Sequence, residues 1–421
     1  MSRICVIDGR FETPVPPFIQ EAFETLGHET VTVFASTQPR AKLERELEDC
    51  GADLFVAIEN VGFLAGDILS SPCLSGVKKA VLFYDDPMTS YLLFGRKHPF
   101  VRAATEHHAH FFIWDGYWRK KMREMAGWKS AATHLAAETK YFSPGKKDPI
   151  PGISHCVVFL GNIPSMEFIQ AAEIELPSSY RKAAVLTREN LSVGVYGLNP
   201  FEALDEAIRD LPGSDQEKIF SETETYLDSV PDLDKPLAPH ARLRKLAWQL
   251  GKRETRLRAM RAASRVAPLA ILSDLKPHGV AGKDELIREL RRNDGREILF
   301  IDTSNVTYYQ LASLYSSGLL HLQSTDPQSV DGGIPYRVFQ CAACAAPLVS
   351  DYKKELAECF TSNQEIIFYK GEHDLGETLM TAISNPSRLR EIGKSAYERF
   401  LKEHTWTHRM KAVLKEIGPL D

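Results

Sequence analysis

The sequence predicts an α/β protein built as two Rossmann-like halves facing a cleft, with a helical insertion in the second half. Three observations carry that prediction. Short apolar segments alternate with amphipathic stretches through the first 150 residues, a second such series starts at HCVVFLGN, and a Gly332-Gly333 loop leads into an apolar helix. Strands separated by helices pair in parallel, which covers the sheet with helices on both faces.

In order, ICVIDG reads as the first strand, FIQEAFETLG as a helix, ETVTVFA as a strand and AKLERELEDCG as a helix. DLFVAIEN, KAVLFYDDP and HFFIWDG continue the strands, and YWRKKMREMAG is the helix after them. Residues 134–150 carry Pro, Gly and Lys and read as a linker, which bounds a first domain at 1–150. The second domain, 151–403, resumes with HCVVFLGN and a Glu- and Ala-rich helix, and takes LSVGVYG, PLAILSD, REILFID, GLLHLQS, APLVSD and EIIFYK as strands. The last helix, within 404–421, is expected to cross back to the first domain.

Residues 200–267 have helical spacing without strands and form the insertion. Asp and Glu dominate 202–234, whereas 242–265 is rich in Arg and Lys, with Leu243, Leu246, Leu250, Leu257 and Met260 near one face. Such a basic amphipathic helix can lie on an anionic membrane surface or hold an acidic partner. Folding back on the acidic stretch as a solvated hairpin is the plainer reading and the preferred one.

At 421 residues and a net charge of −5, the chain has the size of two or three domains and no global attraction for nucleic acid. No apolar run is long enough to span a bilayer, and the N-terminus enters a strand directly, so a cytoplasmic location is expected. The 7 cysteines are odd in number and scattered, which fits a reducing compartment. Cys341 and Cys344 form a CxxC without further ligands and read as small packing residues. His107, His108 and His110 cluster without a third ligand, so no metal site is expected.

A helix N-terminus opened by two glycines presents unpaired N–H groups and positive dipole charge, which suits a diphosphate. Gly332 and Gly333, before the helix that starts near Pro335, are therefore candidates for that cradle.

The motif GIPYRVFQCAACAAPLVSDYKKEL resembles the C-terminal region of the CgeB-like (spore-maturation-protein-like) glycosyltransferases, whose pattern runs roughly R-x-F-E-x-x-A-C-G-x-x-x-x-S-D. Arg337, Phe339, Ala343, Cys344, Ser350 and Asp351 match it in place. YDDP, HLAAETKYFSP and VVFLGN resemble family segments in the same order. The resemblance implies a GT-B fold and transfer of a sugar from a nucleoside-diphosphate sugar, with no cofactor and no metal. Two positions depart from it: Gln340 stands where a ribose-binding Glu is usual, and Ala345 where the motif has Gly.

Glycosyl transfer of this kind needs positive charge on the leaving diphosphate, a grip on base and ribose, and often a base for the acceptor. Arg337 is the first candidate for the charge, with an ion pair to Asp351 as its structural alternative, and Lys276 is the second. Gly161, Asn162, Tyr196 and Gly197 end second-domain strands and so face the cleft, where Thr303, Asn305 and Tyr308 would meet the nucleobase and Gln340 the ribose. Asp85 and Asp86 are the candidate bases, since adjacent carboxylates raise each other's pKa, and capping a turn is their alternative role. Gly9 allows a sharp turn after Asp8, and Arg10 could touch acceptor or phosphate. The acceptor is open among protein, glycan and lipid-linked alcohols. Two rival readings remain: a non-catalytic GT-B-like binding module, favoured by Gln340 and the charged insertion, and another GT-B enzyme such as a nucleotide-sugar epimerase.

Overall fold

The computed structural model describes residues 1–8, 15–35, 39–58, 74, 76–97, 101, 109–145, 150–193, 199–229, 237–274, 279–291 and 296–420. The first lobe is a six-stranded sheet of β1 (Arg3–Asp8), β2 (Glu29–Phe34), β3 (Leu54–Ile58), β4 (Lys78–Phe83), β5 (Ala109–Ile113) and β6 (Ser130–Ala132). Its order is β2-β1-β3-β4-β5-β6 and every pairing is parallel. Helices α1 (Val15–Thr25), α2 (Arg40–Asp49), α3 (Pro87–Phe94) and α4 (Gly116–Ala126) flank it. The inner strands are buried along their length, as parallel strands covered on both faces must be; β3 has no exposed residue.

The second sheet comprises β7 (Val157–Leu160), β8 (Leu269–Ser273), β9 (Ile298–Asp302), β10 (Leu320–Gln323), β11 (Leu348–Asp351) and β12 (Ile367–Tyr369). Its order, β12-β11-β10-β7-β8-β9, is the doubly wound Rossmann arrangement, with the switch point between β7 and β10. The α/β class with two Rossmann-like lobes is thus the one the sequence predicts.

Between β7 and β8 the chain is helical: α5 (Met166–Ile174), α6 (Ser178–Val193), α7 (Pro200–Arg209), α8 (Gly213–Leu227) and α9 (Pro239–Val266). The helical stretch therefore begins before Pro200, and LSVGVYG is not a strand where it is described, because Leu191–Val193 are the last residues of α6. The helical neighbours of this apolar run outweigh its β-branched valines. Asn199 caps α7 by accepting from Phe201 N at 2.9 Å, with Pro200 at the first turn.

The basic helix α9 is neither a solvated hairpin arm nor a membrane face. It packs against α6, α7 and α5, and against the later helix Glu372–Ile383, while Arg253 and Arg256 are 5% exposed. Arg253 Nη2 pairs with Glu285 and Glu289, both at 2.6 Å, and Arg244 Nη2 with Asp86 at 2.7 Å. These acids lie outside the acidic stretch 202–234, whose helix α8 instead reaches the first lobe, where Arg96 Nη1 meets Glu224 at 2.8 Å.

After β8 follow α10 (Gly279–Arg291), α11 (Leu311–Tyr315), α12 (Tyr336–Ala343), α13 (Lys354–Cys359), α14 (Glu372–Ile383), α15 (Pro386–Glu403) and α16 (Trp406–Ile417). Helix α16 packs on α1 and β4 of the first lobe, and Arg409 Nε donates to Leu135 O at 3.1 Å. The segment that reads as a linker is core in its first half: Leu135, Ala136, Ala137 and Phe142 are buried, and Ala137 bridges to Thr405.

Candidate functional site

A cleft of about 560 Å³ opens where the β7/β10 switch point faces the first lobe. Gly161 and Asn162 line it from the end of β7, Ser273 and Asp274 from β8, Thr303 from β9, Gln323 and Asp326 from β10, and Arg337 and Gln340 from α12. This is where open parallel sheets hold ligands, because strand ends and helix starts converge there. The first lobe adds Tyr84, Asp85 and Trp114.

Arg337 Nη1 donates to Gln323 Oε1 at 3.0 Å. Its pairing with Asp351 does not form, since Asp351 Oδ1 accepts from Thr325 N at 2.9 Å and Thr325 Oγ1 at 2.7 Å. A Cβ on Gly161 would lie 3.4 Å from Arg337 Nη2, an ordinary contact distance, so the guanidinium stands directly beside the end of β7.

The second guanidinium of the cleft, Arg256, comes from α9. Its Nη1 donates to Asn162 O, and its Nη2 lies 3.3 Å from Asp326 Oδ2. Lys252 Nζ reaches the same oxygen at 3.2 Å, and Trp248 Nε1 donates to Asp326 Oδ1 at 2.6 Å. Burial pulls the Arg256 pKa down to about 10, with Asp326 opposing and Arg337 adding to the fall. Burial would raise the Asp326 carboxyl, but Lys252, Arg256 and the Trp248 hydrogen bond hold it below its ordinary range. The Nε groups of Arg256 and Arg337 are buried without a hydrogen-bond partner among the described residues. Two crowded guanidiniums with donor capacity left over are suited to receive an anion.

Gln340 is 3% exposed, and its Oε1 accepts from Tyr315 OH at 2.6 Å. Thr303 and Tyr308 line the cleft, whereas Asn305 is exposed and outside it. Tyr196, Gly197 and Lys276, like Gly9, Arg10, His107 and His108, lie outside the described residues.

Two predicted roles are corrected. The amides of Gly332 and Gly333 are not open to a phosphate: with that of Asp331 they donate to Asp115 Oδ2 of the first lobe, at 3.0, 2.9 and 3.1 Å. Added Cβ atoms would meet Glu355 Cγ at 2.7 Å from Gly332 and Trp114 at 2.8 Å from Gly333. Gly333 thus lets the lobes close, and Gly332 leaves room for Glu355 of its own lobe. Asp86, in turn, is 6% exposed and caps α3 by accepting from Met88 N at 2.8 Å, with its other oxygen on Arg244. Asp85, its exposed neighbour, is the carboxylate of the pair that lines the cleft.

Sequence reasoning missed Arg256, Lys252, Trp248, Asp326 and Trp114. The available signal was the Lys252–Arg256 spacing of one helical turn inside an apolar pattern, which places both cations on one side of α9.

Residues 279–415 match a family model described as glycosyl transferase-like. That segment holds Arg337 and Gln340, and Arg256 precedes it. Among solved structures, the chain is similar to a sucrose-phosphate synthase from Thermosynechococcus elongatus, with a TM-score of 0.54 at 10% identity over 99% of both chains. It is similar to a glycosyltransferase from Rickettsia africae (TM-score 0.52, 10% identity, 99% of this chain and 97% of that one). A third is Anabaena Alr3699/HepE in complex with UDP and glucose (TM-score 0.51, 10% identity, 98% and 99%). At this identity the likeness is one of fold. No curated protein matches the chain by sequence.

Proposed function

We propose that the protein is a glycosyltransferase that binds a nucleoside-diphosphate sugar on the second lobe and transfers the sugar to an acceptor held by the first. The observation that carries this reading is the Arg256–Arg337 pair at the β7/β10 switch point, with Arg256 buried, Arg337 half-buried, and the Nε of each without a hydrogen-bond partner among the described residues. A diphosphate there would gain charge-assisted bonds, and as leaving group it would be stabilised by two guanidiniums rather than by a divalent cation. Tyr315 and Gln340 stand at the ribose position, Thr303 and Tyr308 nearer the base, and Asp85 is the base for the acceptor hydroxyl. Support comes from the glycosyl transferase-like match over 279–415 and from a similarly folded protein solved with UDP and glucose. The motif from Arg337 to Asp351 favours the CgeB-like type within that class, and the chain's surroundings are expected to be cytoplasmic.

A thermal-shift panel of nucleoside diphosphates and their sugars tests it. Ligand at a hundred times Kd stabilises by about 2.7 kcal/mol, a rise of a few degrees for a chain of this size. Arg337→Ala is expected to abolish the shift. No shift with any nucleoside diphosphate would sink the reading, and an unchanged shift in the variant would remove Arg337 from it.

A further inference from the structure

Cys50 stands apart from the other described cysteines. It is half-exposed, whereas Cys5, Cys156, Cys341, Cys344 and Cys359 are buried. Burial pushes the thiols of the last four up, Cys359 to about 11 and Cys344 to about 12. Buried neutral thiols of this kind are inert.

Cys50 is the C-cap of α2, and Cys5 lies in β1, between β2 and β3. Helix α2 covers this face of the sheet, so Cys50 packs against the apolar cluster that holds Cys5, Ile7, Leu43, Leu47 and Phe55. There the two thiols meet. Cys5 donates a hydrogen bond to the Cys50 sulfur, and Cys50 Sγ donates in turn to Leu47 O at 3.0 Å. Arg3 Nη1 donates to the Cys50 carbonyl at 3.1 Å and so keeps a guanidinium beside the pair. The bond from Cys5, the Ala52 amide and Arg3 pull the Cys50 thiol down to about 7 against its partial burial. The same bond, with burial, raises the Cys5 thiol. A half-exposed cysteine of thiolate character, with a second thiol already in contact behind it, has both halves of a reversible disulfide.

We propose that Cys50 and Cys5 form a disulfide in the presence of a peroxide, with Cys50 as the attacking and Cys5 as the resolving residue. The Cys50 thiolate attacks one peroxide oxygen and the O–O bond breaks. The departing hydroxide takes up the proton that the thiol released and becomes water, leaving a sulfenic acid on Cys50. The Cys5 sulfur then bonds to the Cys50 sulfur, the S–O bond breaks, and hydroxide leaves with the Cys5 proton as a second water. The two thiols lose two electrons and the peroxide gains them. The bond ties the end of α2 to β1, away from the cleft: Cys5 pairs with Phe55 near the start of β3, whereas the cleft is lined by Ile58 at the end of that strand. Nucleotide binding is therefore expected to survive oxidation.

The test treats the full chain with a slight excess of hydrogen peroxide, blocks the remaining thiols with iodoacetamide, and reads an unreduced digest by mass spectrometry. A Cys5–Cys50 cross-linked peptide is expected, with loss of two of the 7 thiols and their return on adding dithiothreitol. In Cys5→Ala dimedone should trap a sulfenic acid at Cys50, and in Cys50→Ser Cys5 should stay reduced. The wild-type cross-link decides the pairing even if Cys5→Ala does not fold. A link from either residue to another cysteine, oxidation of a buried cysteine ahead of Cys50, or survival of all 7 thiols would overturn the proposal.

Discussion

Replacing Asp115 by Ala tests what closes the two lobes. Its Oδ1 caps α4, accepting from Tyr117 N at 2.9 Å and Trp118 N at 3.4 Å, while Oδ2 takes the amides of Asp331, Gly332 and Gly333 from the other lobe. The side chain is fully buried, as are Gly332 and Gly333. Loss of the cap is worth about 1 kcal/mol and each of the three amides left unpaired at least about 1 kcal/mol, for a lower bound near 4 kcal/mol. With an unfolding entropy of about 2 cal/mol/K per residue, a chain of this length loses roughly 4–5 °C or more in Tm. Differential scanning fluorimetry reads that fall, and hydrogen exchange at 331–333 locates it. Asp115→Asn decides between the two roles. Asn caps a helix as well as Asp does, but it turns an NH2 toward three N–H donors or gives up the cap. Full recovery in Asp115→Asn, with exchange at 331–333 unchanged, would refute the interlobe role and leave only a helix cap.

Arg256→Met should weaken nucleoside-diphosphate binding by roughly tenfold or more, since a hydrogen bond to a charged group is worth about 1.5–3 kcal/mol; equal affinity by calorimetry would remove the paired-guanidinium argument. Ala345 holds φ at +54°, a region that costs a residue with a Cβ about 1–2 kcal/mol. Ala345→Gly should therefore raise stability by about 0.5–1 kcal/mol after the entropy of the freer unfolded chain is offset, and a lower denaturation midpoint would contradict it. Burial lowers His134 to about 3 and His321 and His404 to about 4. Below about 6.5 the unfolded chain protonates these rings while the folded one does not, so stability falls from there down to the folded pKa values, by roughly 1.4 kcal/mol per pH unit per ring. A Tm that stays flat between pH 6.5 and 4.5 would refute this.

The strands were legible because parallel strands covered on both faces must be continuous apolar runs, as ICVID and LFVAI are. LSVGVYG has the same look, and its described start is helical; periodicity over so few residues does not separate a buried helix end from a strand. Arg337 was visible because it follows a glycine loop at a helix start. Arg256 was not. It sits among many cations, and the Asp326 that gives it a role is 70 positions away, brought near by the crossover between β7 and β10. The glycine loop itself misled for a related reason: the anion on its amides is Asp115, 218 positions before Gly333, and nothing local distinguishes an internal carboxylate from a phosphate.

The insertion is part of the site rather than an appendage. One helix, α9, carries Arg244 to the first lobe and Arg256 to the cleft, about 18 Å apart along its axis. Arg244 pairs with Asp86 and stacks 3.7 Å from the centroid of Phe201, with the Trp118 ring at 5.1 Å, while Trp118 Nε1 donates to Gln328 O at 2.6 Å. Asp86 N also donates to Gln328 Oε1 at 3.1 Å. The residue before Asp86 is Asp85, so the carboxylate proposed to serve the acceptor hydroxyl is positioned by contacts to the same helix that brings Arg256 to the proposed donor site. Arg244→Met should on this ground slow transfer at saturating donor while leaving nucleoside-diphosphate affinity within about twofold, because Arg256 and Arg337 keep their own partners. Loss of nucleotide affinity comparable to that of Arg256→Met would show instead that α9 moves as a whole, and that Arg244 holds the donor site and not only the acceptor carboxylate.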